Sequence, residues 1–122
     1  MRIHGKAVRI DLSGEAEMYR RNDWYVSTKM KFHYVYILHN SSKKFIYVGY
    51  SEDLKKRYAS HNKGEVTSTK AYLPLDLIHY EAYKNMKDAK RREEYFKTTK
   101  GKVTLKLMLK EYFLADRERV LS

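Results

Sequence analysis

The chain has 122 residues, enough for one hydrophobic core but not for two. It has no cysteine, which excludes disulfides and thiolate metal sites, and no apolar run long enough to span a membrane. A formal charge of +11 points to a polyanionic partner, nucleic acid before an anionic lipid surface, and the absence of a secretory-signal pattern makes a cytoplasmic location the expectation.

In chain order, Arg2 to Asp11 reads as a short strand, Ser13-Gly14 as a break and Glu15 to Tyr19 as the start of a helix. The clear signal begins later. Residues 32–39 alternate as a strand, with Tyr34, Tyr36 and Leu38 on one face and Val35 and Ile37 on the other. Both faces are apolar or aromatic, as in a central strand covered on both sides. Asn40 to Lys44 is a turn, and residues 44–50 form a second strand. A hairpin joined there brings Tyr36 and Tyr47 close together. Ser51 and Asp53 are candidate caps for a helix ending near residue 62, and Gly64 suits a left-handed cap at its end.

Residues 65–72 form a polar loop, in which Ser68, Thr69 and Lys70 either touch a phosphate backbone or are an ordinary solvated connection. A third strand is expected over 75–82, after Pro74. The next helix, 87–98, places Ala89, Arg92, Glu93 and Phe96 on one face. A carboxylate on such a stripe is costly to bury unless it is paired or holds a metal. Glu94 lies about 100° round the helix and is expected to be more exposed. Thr98 to Gly101 reads as a break, and a last helix over 103–114 carries Leu105, Leu109 and Tyr112 or Phe113 on its apolar stripe. Residues 84–110 hold ten basic side chains against three acidic ones, so this segment carries much of the excess charge.

Tyr34-Val35-Tyr36, Tyr47-Val48-Gly49, Arg57 eight residues beyond that glycine and Ala89-Lys90-Arg91-Arg92-Glu93 occur in this order. Together they resemble the catalytic core of the GIY-YIG nuclease family, over roughly residues 31–112. Tyr34 stands where the family name has glycine. The resemblance implies an α+β fold of order β-β-α-β-α-α, a small three-stranded, mainly antiparallel sheet flanked by helices. It also implies a metal-dependent endonuclease that hydrolyses DNA phosphodiesters with low sequence specificity, in DNA repair or recombination. Tyr36, Tyr47, Arg57, His61 and Glu93 are then the catalytic residues, and Glu93 holds Mg²⁺ or Mn²⁺. Tyr47 is the favoured general base, although the residues do not decide between the tyrosines. Lys55, Lys56, Lys70, Lys90, Arg91, Arg92, Lys97 and Lys100 are candidate DNA contacts. The alternatives are a non-catalytic nucleic-acid-binding module of the same fold and a basic protein-interaction domain. Family members commonly begin just before the first strand. Residues 1–30 are therefore expected to be an extension from an upstream start codon, followed by a domain over 31–115 and a charged, fraying tail over 116–122. The competing expectation is an appendage that docks Trp24, Tyr25 and Val26 on the core. No membrane partner is expected, and the oligomeric state is left open.

Overall fold

The computed structural model describes residues 31–121 together with three short strands near the N-terminus. The chain divides into two compact units, Met1–Lys31 and Phe32–Ser122. In the first, β1 (Arg2–Ile3), β2 (Lys6–Ile10) and β3 (Ala16–Met18) form an antiparallel sheet in that order. This corrects the reading of one strand followed by a helix. Ala16, Glu17 and Met18 favour helix by propensity, but they pair with Ile10, Arg9 and Val8, and pairing overrides a weak local preference. The proposed docking of Trp24 to Val26 lies outside the described residues.

The second unit is α+β. Its strands are β4 (His33–Asn40), β5 (Phe45–Ser51) and β6 (Asp76–Tyr83), in the order β5-β4-β6 and antiparallel throughout. Each lies within a residue of its expected span. The helices are α1 (Leu54–Asn62), α2 (Met86–Lys97), α3 (Thr99–Met108) and α4 (Lys110–Leu121), with a 3₁₀ turn at Lys70–Tyr72. None of these helices is long and apolar enough to cross a membrane.

Central β4 is buried from Val35 to Asn40. Val35 and Ile37 pack with Val48, Ala89, Phe96 and Leu105 under α2 and α3. Tyr36 and Leu38 pack on the other face with Leu75, Tyr47, Leu54 and Tyr58, beside α1. A register shift at Ile37/Leu38 pairs Ile37 with His79 but Leu38 with Leu77. It turns Leu77 toward α1 and Ile78 toward α2, so both faces stay apolar.

The helix ends follow local chemistry. Asp53 caps α1, its carboxylate accepting from the Lys56 amide at 3.1 Å. Gly64, at φ 75°, ends it, with its amide on the His61 carbonyl and the Glu65 amide on that of Ser60. Thr98 both closes α2 and opens α3: its hydroxyl donates to the Tyr95 carbonyl at 2.6 Å and accepts from the Gly101 amide at 2.9 Å. The break is therefore Thr98 itself. Gly101 lies inside α3, where a Cβ would sit 1.8 Å from the Tyr95 carbonyl oxygen. The expected single last helix is two, divided at Leu109, and residues 116–121 are helical rather than frayed. Asp116 accepts from Ser41 and pairs with Arg119, and Tyr112 shares a 2.7 Å hydrogen bond with His39 of β4. The contacts to Ser41 and His39, distant in sequence and invisible to periodicity, hold α4.

Candidate active site

Tyr36 sits opposite Gly49 in the β4–β5 ladder, and Tyr47 opposite Leu38, so both tyrosines face α1. A Cβ on Gly49 would lie 2.4 Å from Cζ and 2.5 Å from the hydroxyl oxygen of Tyr36. The glycine is thus required for space, because the phenol ring lies across it. The Tyr36 and Tyr47 rings are 6.2 Å apart between centroids.

Arg57 and His61, one helical turn apart, share the face of α1 that meets these rings. The Arg57 guanidinium lies beside the hydroxyls of Tyr36 and Tyr47, and its pKa is raised, first by the hydrogen bond with Tyr36. Its Nε is buried with no hydrogen-bond partner among the described residues. His61 is fully buried; its Nε2 is 2.8 Å from the Tyr36 hydroxyl and its Nδ1 is 2.8 Å from Thr69 Oγ1. The Tyr47 ring meets His61 edge-on at 5.1 Å. Burial, then the nearby Arg57 charge, lowers the His61 pKa, so its imidazole is neutral at physiological pH. Burial pushes the Tyr36 phenol up to about 12 against the opposing pull of Arg57. Tyr36 is therefore protonated at neutral pH.

Glu93 projects from α2, which packs on the other face of the sheet, yet its charge helps to raise the Tyr36 pKa. Its side chain is 12% exposed, and its carboxylate meets Lys97 at 3.1 Å and Lys90 at 3.7 Å. Glu94 is exposed, as expected. Tyr36, Tyr47, Arg57 and His61 are thus brought together, and Glu93 reaches Tyr36 through its charge. His61 is enclosed by Tyr36 and Thr69 and does not face solvent.

The basic candidates divide. Lys55, Lys56, Lys70 and Lys100 are exposed. Lys90 and Lys97 hold Glu93, Lys90 also lies 4.3 Å over the Tyr50 ring, and Arg91 pairs with Asp88. Arg92 departs from its expected role as a DNA contact. Its Nε and Nη2 grip both Glu81 oxygens, at 2.9 and 3.2 Å, and it lies 4.3 Å over Phe96. Its charge is committed to the fold, because a bidentate carboxylate neutralises the guanidinium fork. Two contacts lie beyond the sequence reading. Thr69, expected either at a phosphate backbone or in a solvated loop, is buried against His61, and nothing local ties Glu81 to an arginine eleven residues on.

Among the described residues, no group of three or more histidine, cysteine, aspartate or glutamate side chains could hold a metal. The donor set at the site is one hard carboxylate, Glu93. That suits Mg²⁺ or Mn²⁺, which accept one protein carboxylate when water and substrate phosphate complete the shell. It does not suit zinc, which favours three or four protein ligands.

The second unit is thus an α+β scaffold: a three-stranded antiparallel sheet with paired tyrosines, an arginine on the first helix beside them and a glutamate on a later helix. Residues 32–106 match the GIY-YIG catalytic domain, and the chain belongs to that family. GIY-YIG nucleases act on DNA and generally use divalent metals. The chain is also similar to the UPF0213 protein SpyM50708 of Streptococcus pyogenes serotype M5 (strain Manfredo) and to the UPF0213 protein M28_Spy1146 of serotype M28 (strain MGAS6180). Each is 40% identical over 68 residues, which is 55% of this chain and 73% of the relative. No solved structure matches the chain.

Proposed function

We propose that this protein is a metal-dependent endonuclease that hydrolyses DNA phosphodiester bonds with low sequence specificity. The observation that carries the reading is Arg57: a guanidinium between two phenols, with a buried Nε that has no partner among the described residues. A buried donor left unmatched is expensive and marks a side chain kept for more than the fold's own hydrogen bonds, and a phosphate is the ligand that a guanidinium fork suits. In this reading Arg57 binds the scissile phosphate and stabilises the negative charge that grows on it. Tyr47, less buried than Tyr36, orients the attacking water and, in its phenolate form, accepts the water's proton. Tyr36 stays a phenol and fixes the guanidinium. The oxygen–phosphorus bond to the new hydroxyl forms as the bond to the leaving sugar oxygen breaks, and that oxygen takes a proton from solvent. Glu93 would hold the Mg²⁺ or Mn²⁺ ion, in place of its contact with Lys97. When bound, such an ion supplies charge neutralisation at the phosphate. Exposed Lys55, Lys56, Lys70 and Lys100 would meet flanking phosphates. Such an activity fits DNA repair or recombination in the cytoplasm.

The ion pairs of Glu93 with Lys97 and Lys90 favour a second reading, a nucleic-acid-binding module in which the glutamate only organises a basic surface. Nicking of supercoiled plasmid with Mg²⁺ or Mn²⁺ separates the two. Glu93→Gln keeps the size of the side chain but loses its charge, so cleavage is expected to fall by about a hundredfold or more while DNA affinity holds or rises. Chelation should abolish cleavage as well. Equal nicking rates for wild type and variant would leave the binding module as the function.

A further inference from the structure

Behind Tyr36 lies a chain of hydrogen bonds that has one internally consistent direction. Tyr36, His61 and Thr69 are each 0–1% exposed, and they are joined by two contacts of 2.8 Å. Beyond them, Thr69 Oγ1 is 3.4 Å from the Val66 carbonyl oxygen. The other side-chain hydrogen-bond partner of Tyr36 is Arg57, and a guanidinium has donors but no acceptor. The phenolic hydrogen therefore has to point at His61 Nε2. A neutral imidazole carries one hydrogen, which must then sit on Nδ1 and be donated to Thr69 Oγ1. The threonine hydrogen completes the run by turning to the Val66 carbonyl. In the reverse direction, Nε2–H would donate to Tyr36, and the phenolic hydrogen would face a guanidinium that cannot accept it.

We infer that Thr69 is a positioning residue of this site: its hydroxyl fixes His61 as the Nδ1–H tautomer, which holds Tyr36 with its hydrogen turned inward and its oxygen lone pairs presented to Arg57. Thr69 touches no substrate in this scheme. It acts through two buried groups, and it gives the loop between α1 and β6 a task in the site. The inference builds on the proposed nuclease reading, but its primary test does not depend on cleavage.

Long-range ¹H–¹⁵N correlation spectra of the labelled full chain report which ring nitrogen of His61 is protonated. Wild type and Thr69→Ser should both show protonated Nδ1 and bare Nε2. Thr69→Val keeps the shape but offers no acceptor, so a population with protonated Nε2 should appear. In the plasmid assay, Thr69→Val should lower kcat by on the order of tenfold, the worth of one hydrogen bond, with KM unmoved, and Thr69→Ser should restore it. Protonated Nε2 in wild type, or an unchanged tautomer in Thr69→Val, overturns the inference. The wild-type tautomer decides the matter even if Thr69→Val fails to fold. A wild type with the expected tautomer but no cleavage would refute the nuclease reading and leave the tautomer assignment standing.

Discussion

The two faces of the sheet are built on opposite principles. Toward α2 and α3 the contact is dry: Val35, Ile37, Val48, Ala89, Phe96 and Leu105 carry no side-chain polar atom. Toward α1 the same strands present Tyr36 and Tyr47, backed by Arg57, His61 and Thr69. A dry face is stabilised by area and shape, tolerates volume-conserving exchange and is indifferent to proton positions. A polar face holds together only if each donor meets an acceptor, so it is sensitive to single atoms. One strand, β4, serves both by alternation. β4 therefore carries apolar packing and the tyrosine cluster on opposite faces, one side-chain period apart, while Glu93 reaches Tyr36 by its charge from α2.

That contrast can be broken most forcefully at Phe96. It is fully buried in the dry cluster, and Phe96→Ala should cost about 4 kcal/mol in urea unfolding. Surviving folded protein should cleave at close to the wild-type rate per molecule. Gly49→Ala is the mirror experiment. The added methyl would displace the Tyr36 phenol, so cleavage should fall by about two orders of magnitude, worth about 3 kcal/mol of transition-state stabilisation. The thermal midpoint should fall less than in Phe96→Ala. If stability collapses and the residual folded fraction keeps full activity, the division between the faces is wrong.

A smaller effect sharpens the boundary. A polar cluster borders the dry side: Glu81, opposite Val35, with His79, Tyr83 and Arg92. Burial would raise its pKa, but hydrogen bonds from Arg92, Tyr83 and His79 overcome this and bring it from 4.5 to about 2. A carboxyl depressed in the folded state contributes stability that is fully present above its unfolded pKa. That stability is lost as pH falls toward the folded value, here between 4.5 and about 2. Glu81→Gln should therefore cost about 2 kcal/mol near neutrality, allowing for solvent screening, and should flatten the loss of stability across that acid range. Denaturant midpoints at several pH values measure both.

The dry face was largely legible in the sequence. β-branched alternation in β4 and β5, the Ala89/Phe96 stripe of α2 and the acidic cap at Asp53 are local signals that survive packing. The cluster was legible in part: the hairpin brings Tyr36 and Tyr47 together, while the place of Arg57 beside them rests on residue types at family spacing. Its inner layer was not. Thr69 sits in a run of polar residues, and no periodicity marks one of them as buried. Arg92 was assigned to DNA because a sequence shows its charge but not Glu81, which comes from another element. Gly101 was read as a helix breaker, whereas the tight approach of two helices, not backbone freedom, requires it.

Central β4 also fixes when the site can fail. It is hydrogen-bonded along both edges and buried from Val35 to Asn40, so its amides open only with the whole domain. Tyr36 rides on that strand and Gly49 on its ladder partner. Terminal fraying of α4 or excursions of the 65–72 loop can therefore occur without moving the tyrosine backbone. Local melting would loosen the grip of Thr69 before it touched the strand that carries the phenol. On warming, activity should thus decline in two stages, first through disorder in the loop and then with global unfolding.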